Sequence, residues 1–415
     1  MLSKIPALPY FEVVVNGTLL KQYASKVVVI QQTNSHTVAL LDVMYIGQSS
    51  AQGPLGVQSS WNYIPEQTPI AINYGFKPGR TAQFLGYVAS YTLLNAGTNL
   101  AQNNLVTTCV QYTIVGTSQI MQTTKNRAWK HISPSAIASS IATENGFRSV
   151  VHPYAAAINY RLQNMSDFQF LAQLAHEIGY RFYVDNTDLY FINPKLILDR
   201  SNLRNIPQFW SYNNPGLYDT IRSFQPIVGT ITPDGGIVAN RTITGINTQT
   251  NNLVSAASQV KLFSSSTSTM SPPASPTITK YYNDAPADSF YEAQQKIIAD
   301  SNRNLYWLTA DSTLRGDFRV KPNSLVELVG TALPDTEAGF WLVQSAIHTL
   351  TMPAPSGNPV ASTYLIDSEL IRDQIYTATT ITTPSSTSDV IQKVPAVLVG
   401  GVWRSSNVGA QIYAS

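Results

Sequence analysis

The sequence predicts a mainly β protein with an α+β insert, and three observations support this fold class. Segments rich in Val, Ile, Thr and Tyr alternate with turn residues in two separate parts of the chain, which is typical of short strands. Apolar residues at helical spacing concentrate between these parts and in one later segment. Because 415 residues exceed what one core usually holds, we divide the chain into segments 1–122, 123–215, 216–370 and 371–415.

The first segment, residues 1–122, is predicted to be entirely β. Runs of β-branched residues predict strands at 11–15, 26–30, 37–43, 69–74, 83–91 and 109–115. Asn16-Gly17 follows the first run and favours a tight type I′ turn. A Gly/Pro/Ser-rich loop at 47–60 interrupts the pattern. Short strands separated by turns in this way predict a barrel or a sandwich.

The second segment, residues 123–215, changes to a mixture of helices and short strands. Ser133-Pro134 is a frequent helix start, and Gly146 is placed to end that helix. The apolar residues of the helix are Ile137, Ala138 and Ile141. Short strands are predicted at 150–151 and 160–162. The segment is therefore expected to be a small α+β module.

A second helix in this segment has clear signals at both ends. Ser166 and Gln169 have the spacing of a capping box, and Asp167 suits the positive end of the helix dipole. Gly179 is placed for a left-handed C-cap. The apolar face consists of Phe170, Leu171, Leu174, Ala175 and Ile178. We expect this face to pack inward.

A β-hairpin follows the second helix at once. Residues 181–184 and 189–192 are strand-like, and 185–188 carry turn chemistry between them. The whole stretch 159–193 therefore predicts a helix, a glycine stop and a hairpin. We interpret it as a connector that fixes one β region relative to the other.

The third segment, residues 216–370, is predicted to be β again, with an insertion at about 262–305. Strands are predicted at 221–225, 236–244, 317–320, 325–329, 340–348 and 362–366. The insertion contains a low-complexity run at 264–276, predicted to be a mobile loop. It also contains a third predicted helix at 288–304, whose inner side would carry Ala293, Ile297 and Ile298.

The C-terminal extension, residues 371–415, begins rich in Thr, Ser and Pro and then becomes apolar. Val394 to Val399, Gly400-Gly401 and Trp403 are unusual for a free tail. We therefore expect this segment to dock, either on its own chain or on a neighbouring one.

A search for chemistry in the sequence predicts no catalytic, cofactor-binding or metal-ligating residue and no enzymatic activity. His176-Glu177 lacks the second histidine of a zinc protease motif, since position 180 is Tyr. Cys109 is the single cysteine, lies in a predicted strand and is expected to be a buried structural thiol. The remaining histidines, His36, His131, His152 and His348, show no ligand spacing.

A small basic cluster around Trp129 is the only candidate for nucleic-acid contact. It consists of Lys125, Arg127, Lys130 and His131. The net charge of +2 argues against a phosphate-binding surface over the whole chain. We therefore interpret the cluster as a solvated linker that Trp129 anchors to the core, and predict no specific nucleic-acid binding.

The ends and the apolar runs of the sequence bear on its location. The N-terminus lacks the apolar stretch of a signal peptide. No apolar run approaches the roughly 20 residues needed to cross a bilayer. We expect synthesis in the cytoplasm and no membrane anchor.

Five motifs together point to a known family. The most specific covers residues 160–182 and consists of Tyr160-Arg-Leu-Gln163, Ser166-Asp167, Phe170-Leu171, Leu174-Ala175 and Gly179. The preceding predicted helix, 133–147, ends Glu-Asn-Gly-Phe. The first β region carries Phe84-Leu-Gly-Tyr-Val88. The second carries Lys321-Pro-Asn-Ser-Leu-Val-Glu-Leu and Gly339-Phe-Trp-Leu-Val-Gln-Ser-Ala-Ile-His348.

In these motifs the chain resembles the baseplate hub (tail hub) family of long-tailed phages, also called late control protein D. That family is akin to the base of type VI secretion spike proteins. The resemblance covers roughly residues 70–370. One departure is Asn323, where the family usually has glycine, although Asn still tolerates a left-handed turn.

The resemblance implies two tail-tube-like antiparallel β-barrels, 1–122 and 216–370, joined by the helix–hairpin module. It also implies a homotrimer whose six barrels form a ring that adapts the six-fold tail tube to the three-fold central spike. The ring would enclose a channel for the tape measure protein and later for DNA. The other implied partners are the tail tube protein, the spike protein and the baseplate wedge proteins, in the tail baseplate of a virion assembled in the host cytoplasm.

Other functions remain open at this point. A hub of a phage-derived contractile injection or secretion particle would carry the same motifs. A tail-tip protein that binds carbohydrate is a further alternative, since the 22 Tyr and 6 Trp suit both sugar stacking and strand packing. A cell-wall hydrolase fused to a β scaffold is the third alternative.

Overall fold

The computed structural model describes most of the chain. The described residues are 8–48, 63–77, 81–100, 105–154, 157–194, 206–210, 220–228, 238–246, 253–259, 278–282, 293, 296, 299, 308–330, 333, 338–353, 362–372, 396–405 and 411–413. The predicted loops at 47–60 and 264–276 lie almost wholly or wholly outside them. Strands, mostly paired antiparallel, dominate the described residues, which confirms the predicted mainly β class with an α+β insert.

The first β region contains seven strands, as its alternating sequence predicts. They are β1 (Leu8–Val15), β2 (Thr18–Leu19), β3 (Tyr23–Gln32), β4 (Val38–Gln48), β5 (Pro69–Lys77), β6 (Thr81–Leu100) and β7 (Leu105–Gly116). Asn16 and Gly17 adopt φ values of 47° and 80°, so the predicted left-handed turn joins β1 to β2. A 3-10 helix, Thr117–Gln122, ends the region.

The connector contains two helices and five strands. They are β8 (Thr124–Ile132), α1 (Pro134–Glu144), β9 (Arg148–Val151), β10 (Ile158–Ser166), α2 (Asp167–Ile178), β11 (Arg181–Asp185) and β12 (Asp188–Ile192). Both predicted caps are confirmed: Ala136 N donates to Ser133 Oγ and Gln169 N donates to Ser166 Oγ, each at 3.2 Å. Gly179 ends α2 with φ 72°, as its position predicts.

The prediction of a solvated linker around Trp129 was wrong. This stretch is strand β8, which pairs antiparallel with β10 over its whole length, with Ser166 opposite Thr124. Its residues alternate between exposed and half-buried along most of the strand. The high charge concealed the strand pattern, because the inward-facing side chains are Lys125, Arg127 and Trp129 rather than apolar residues.

The second β region continues the strand order. It contains β13 (Gln208–Trp210), β14 (Ile221–Val228), β15 (Val238–Ile246), β16 (Leu253–Gln259), β17 (Ile278–Tyr282), β18 (Leu308–Arg315), β19 (Leu325–Val329), β20 (Gly339–Thr351) and β21 (Thr363–Arg372). The predicted strand at 317–320 was wrong, since these residues form a turn. Strand β18 was not predicted.

The third predicted helix is described at only three positions. Ala293, Lys296 and Ala299 are helical, and both alanines are buried. The spacing of three residues between them agrees with the prediction of a helix at 288–304. Ile297 and Ile298, predicted on its inner side, lie outside the described residues.

One sheet joins the two β regions. Its order is β14-β18-β21-β20-β3-β4-β7-β6-β5-β1-β2, and β19 and β13 add a branch at β20, giving 13 strands. The junction is the antiparallel pair β3–β20, which runs from Gln32 opposite Ser345 to Lys26 opposite Thr351. One hydrophobic core extends across both regions, from Val27 and Tyr74 to Trp341 and Leu370. Closure into two barrels stays a prediction.

The C-terminal extension adds a hairpin and one further strand. The hairpin is β22 (Ala396–Val399) with β23 (Val402–Ser405), and β24 (Gln411–Tyr413) pairs parallel with β9. Gly400 and Gly401 turn the hairpin with φ values of 59° and 80°, conformations that glycine adopts at little cost. The extension therefore docks on its own chain, one of the two outcomes expected from its sequence.

Candidate assembly interface

The hairpin β11–β12 contacts the first β region through Asn34. Asn34 N donates to Phe182 O at 2.8 Å, and Phe182 N donates to Asn34 Oδ1 at 3.1 Å. Asn34 lies in the β3–β4 turn with φ 57°, a conformation that Asn tolerates better than most residues. The side chain and the backbone of one turn residue thus fix the start of the hairpin.

The tip of the same hairpin contacts strand β6. Asn186 Oδ1 accepts from Leu85 N, and Asn186 Nδ2 donates to Gln83 O, both at 2.9 Å. Thr117 Oγ1 also donates to Asn186 O. The Asn186 side chain therefore forms one hydrogen bond to a backbone N–H and one to a backbone C=O of β6, as a neighbouring strand would.

The opposite side of the hairpin contacts the second β region. Lys321 Nζ lies 2.8 Å from Asp185 Oδ2, and Arg181 donates to Asn323 Oδ1 at 2.8 Å. Asn323 has φ 64°, so the left-handed turn expected at this departure from the family motif is confirmed. The hairpin thus contacts both β regions, as a connector should.

Helix α2 packs as the sequence predicts. Phe170, Leu171 and Leu174 are buried, and Ile178 packs against the same core from a half-buried position. Gly179 has no room for a side chain, because a Cβ there would lie 2.8 Å from Ala299 O. Glycine is therefore required at the end of α2 for two reasons: its φ is positive, and the inserted helix lies too close for a side chain.

Strand β8 is held to the helices by a network of charged groups. Lys125 Nζ lies 2.6 Å and Arg127 2.7 Å from the carboxylate of Asp167. Both cations also pair with Glu144, at 3.2 and 2.6 Å. Burial alone would raise the pKa of Asp167, but hydrogen bonds from Lys125, Asn145 and Gln163 outweigh it and hold this pKa below its usual range.

The predicted basic cluster is therefore not a free phosphate-binding surface. Two of its members, Lys125 and Arg127, already face carboxylates, and Arg127 also lies 4.4 Å from the Trp129 ring centroid. Lys130 lies near the ring of Tyr160, at 5.7 Å. The absence of specific nucleic-acid binding stays a prediction.

The His348 motif forms a buried polar pair in the second β region. His348 Nε2 donates to Val320 O at 2.8 Å, so its Nδ1 accepts from the Tyr364 hydroxyl at 2.8 Å. Burial and the nearby Lys321 charge lower the pKa of His348 to about 3. The neutral imidazole joins the 317–320 turn to strands β20 and β21.

The glycine of the Phe84–Val88 motif is required by close strand packing. A Cβ on Gly86 would lie 2.4 Å from Val115 O and 3.0 Å from Ile114 Cγ2. Strands β6 and β7 therefore approach here more closely than any other residue would permit.

Two kinds of surface on the described chain suit assembly with other chains. Strand β14 pairs only with β18, and β1 pairs with β5 and briefly with the two-residue β2, so the described sheet has an open edge at each end. Open edges favour pairing with another chain. Exposed apolar side chains are Leu8, Leu19, Tyr91, Leu93, Leu94, Tyr160, Leu162, Ile227, Val397 and Val399.

The C-terminal hairpin is anchored by two backbone groups. Trp403 N donates to the Tyr87 hydroxyl at 2.8 Å, and Ser405 N donates to Gly146 O at 3.2 Å. Arg404 lies over Gly146, where its Cγ would be 3.3 Å from an added Cβ. The tail thus contacts both the first β region and the connector.

The sequence-predicted titratable residues form no common site. His176 is exposed on α2 whereas Tyr180 is buried. Cys109 is half-buried rather than buried as predicted, and burial followed by the Asp42 charge raises the pKa of its thiol. Within the described ranges, no group of three or more His, Cys, Asp or Glu could hold a metal ion.

Among the residues that the structure describes, no helix is both long enough and apolar enough to cross a membrane.

Comparison with known proteins shows similarity of fold rather than of sequence. No family model matches the chain, and the search of curated proteins gave no match. The 43 kDa tail protein of prophage MuSo2 from Shewanella oneidensis aligns with a TM-score of 0.58 at 11% identity, over 88% of this chain and 98% of that one. A tail protein from Neisseria meningitidis MC58 aligns with a TM-score of 0.56 at 10% identity, over 89% and 98%.

Both alignments extend through both β regions and the connector, since each covers most of either chain. At such low identity they show a shared fold only. The resemblance to tail proteins is therefore confirmed at the level of the fold: this chain has the fold of these two tail proteins.

Proposed function

We propose that this chain is the structural hub of a phage tail baseplate. Three copies would form a ring that adapts the six-fold tail tube to the three-fold central spike. The observation that carries this proposal is the pairing of β3 with β20, which joins two β regions into one sheet within one chain. Three chains with two such regions each present six similar units, which is what the symmetry change requires.

The open sheet edges support ring formation. One edge, β14, lies at the far end of the second β region, and the other, β1, lies at the far end of the first. Two different edges on one chain suit a head-to-tail interface, and such an interface gives a closed ring when its rotation closes. The exposed Leu8 on β1 and Ile227 on β14, 62% and 55% exposed, provide apolar surface at these edges.

The proposed partners follow from the hub assignment. The ring would contact the tail tube protein on one side, the central spike protein on the other and the baseplate wedge proteins at its periphery. Its channel would hold the tape measure protein and later pass DNA. A chain with only 12% charged residues suits such a passage, because strong phosphate binding would retain the DNA. The role is structural, in the virion tail, without an enzymatic reaction.

The mass of the purified chain in solution tests the proposal. Light scattering should give three times the chain mass of 45.4 kDa for the chain alone, or that mass plus the mass of the bound spike protein when the cognate spike protein is added. Negative-stain images of the trimer should show a ring with six lobes. A chain that stays monomeric at micromolar concentration and joins neither tube nor spike protein would contradict the hub assignment.

A further inference from the structure

The dipeptide Asn-Gly occurs twice in the chain, as Asn16-Gly17 and as Asn145-Gly146. Asparagine is a labile residue, and most of all before glycine, because the glycine nitrogen can attack the asparagine side chain without hindrance from a Cβ. The attack closes a succinimide ring and ends in aspartate or isoaspartate. Both pairs are equal in this respect, so their surroundings in the fold decide which of them reacts.

Asn16-Gly17 lies in the turn between β1 and β2 and is open to solvent. Residues 16–19 are all exposed. A Cβ on Gly17 would meet no atom within 4 Å beyond the adjacent residues. Among the described residues, neither the Asn16 side chain nor Gly17 N has a hydrogen-bond partner. The amide that would react and the nitrogen that would attack it are therefore both unrestrained.

The turn can also bring these two groups together at little cost. Strand β2 pairs with β1 at only two positions, Val14–Leu19 and Val15–Thr18, and so short a ladder opens locally with ease. Asn16 N donates to Pro69 O at 2.9 Å. This bond lies before the Asn16 Cα, so rotation of the backbone after that Cα leaves it intact.

Asn145-Gly146 has the opposite surroundings. Asn145 is half-buried and Gly146 is buried. Asn145 Nδ2 donates to Ile141 O at 2.9 Å and to Asp167 Oδ2 at 3.0 Å. Gly146 N donates to Thr143 O at 3.1 Å. Both reacting groups are thus held by hydrogen bonds at the end of α1, and these bonds must break before the ring can close.

From this contrast we infer that Asn16 is a site of spontaneous deamidation in the folded protein, whereas Asn145 is protected. Gly17 N forms a bond to Asn16 Cγ, the Cγ–Nδ2 bond breaks, and Nδ2 leaves as ammonia with the proton from Gly17 N. One water molecule then opens the succinimide. Breaking the new N–Cγ bond gives aspartate, and breaking the original backbone C–N bond gives isoaspartate. The reaction consumes only water.

The modification changes the end of strand β1 in two ways. Either product carries a carboxylate in place of the amide of Asn16. Isoaspartate also adds one backbone carbon to a turn of two residues, which disturbs the register of β2 against β1. The inference is independent of the proposed hub function, because it needs a single copy of the chain.

Peptide mapping of the full chain tests the inference. The native protein is kept at mildly alkaline pH, and samples taken at intervals are digested with trypsin and analysed by mass spectrometry. The tryptic peptides 5–21 and 131–148 contain Asn16 and Asn145 as their only amide side chains. The mass gained when NH₂ is replaced by OH therefore assigns each site without ambiguity.

We expect Asn16 to react at least about 10-fold faster than Asn145, because each hydrogen bond that Asn145 must first break lowers the population of its reactive conformers several-fold. Equal rates at the two sites in the native chain would overturn the inference. So would an unmodified peptide 5–21 after a time in which the urea-unfolded chain has reacted completely.

Two controls assign the difference to the fold. In the urea-unfolded chain the two sites should react at similar rates, since both asparagines precede glycine; a difference as large as that in the native chain would show that the fold does not protect Asn145. In native Asn16→Gln the longer side chain closes a ring far more slowly, so peptide 5–21 should keep its mass while peptide 131–148 behaves as in the wild type. A mass gain in peptide 5–21 of this variant at the wild-type rate would contradict the assignment to Asn16.

Discussion

Asn34 and Phe182 exchange two hydrogen bonds, one through the Asn34 backbone and one through its side chain, at 2.8 and 3.1 Å. These two bonds attach the connector hairpin to the β3–β4 turn. The two residues lie far apart in the sequence. Their hydrogen bonds fix the position of the connector hairpin, whereas the strands and the turn of the hairpin are specified by its own local sequence.

Asn34→Gly should therefore destabilise the protein. Glycine keeps the left-handed turn but leaves Phe182 N without its acceptor, at a cost of about 1–2 kcal/mol in the free energy of unfolding. Urea unfolding monitored by tryptophan fluorescence measures this. Asn16→Gly is the matched control, because Asn16 also has positive φ (47°) but lies in the exposed β1–β2 turn. Equal effects of the two substitutions would show that the Phe182 bond contributes nothing.

Asp167 offers a second test, since its side chain is 1% exposed and pairs with Lys125 and Arg127. Asp167→Asn keeps the shape but leaves two cations without this carboxylate. We expect a loss of about 3 kcal/mol. Glu144→Gln removes the other carboxylate of the network, whose side chain is 40% exposed, and should cost under about 1 kcal/mol. Chemical unfolding of both variants gives the comparison, and a reversed order would contradict the network described here.

Close packing gives a third test at Gly86. Gly86→Ala places a methyl group 2.4 Å from Val115 O, so β6 and β7 must separate. We expect a loss of about 3 kcal/mol, near the upper end for overpacking. Gly17→Ala has open space within 4 Å but φ +80°, and should cost about 1 kcal/mol through backbone strain alone. Thermal unfolding of the pair separates steric from conformational effects.

The helix–hairpin unit could be predicted from sequence because its signals are local. The Ser166 side chain caps the helix because it accepts a hydrogen bond from the backbone N–H three residues later. Gly179 ends the helix because its backbone is left-handed. The Asn16-Gly17 turn is local in the same sense. Each of these features depends on residues within a few positions, where spacing alone determines geometry.

Strand β8 and the pairing of β3 with β20 could not be predicted, because both depend on distant residues. Lys125 lies on the half-buried side of β8, where its ammonium group pairs with Asp167, 42 residues later. Ile30 of the first β region lies opposite Ile347 of the second. Sequence periodicity gives no information about such pairings, so the charged β8 resembled a linker and the junction between the two β regions gave no signal.

The pH dependence of stability should follow His348. Its pKa is lowered to about 3 in the folded protein, whereas an unfolded histidine titrates near about 6.5. The unfolded state therefore binds a proton below pH of about 6.5 while the folded state does not. The contribution of neutral His348 to the free energy of unfolding is fully present above that pH. As the pH falls from there toward the pKa of the folded state, this contribution decreases by about 1.4 kcal/mol per pH unit.

His348→Gln should remove this component of the slope between about pH 6 and 4.5, although it also lowers stability at neutral pH. Unfolding free energies at several pH values provide the measurement. His176→Gln, at an exposed histidine of α2, should leave the slope unchanged. If both variants keep the wild-type slope, the pKa of His348 is not lowered in the folded protein, and the hydrogen bond in which its Nδ1 accepts from the Tyr364 hydroxyl needs another explanation.

The C-terminal hairpin provides the last prediction, since one of its two anchoring hydrogen bonds ends on a side-chain oxygen that a substitution can remove. Tyr87→Phe removes the hydroxyl that accepts from Trp403 N at 2.8 Å, and Tyr87 itself is only 5% exposed. Hydrogen exchange of residues 396–405 should accelerate about fivefold, as expected for one lost hydrogen bond in a local opening. Tyr10→Phe, which loses a hydroxyl bonded to Glu12 at 2.6 Å, should leave exchange in the hairpin unchanged. Exchange that stays at the wild-type rate in Tyr87→Phe would mean that the Ser405–Gly146 hydrogen bond and the β24–β9 pairing hold the extension without the Tyr87 hydroxyl.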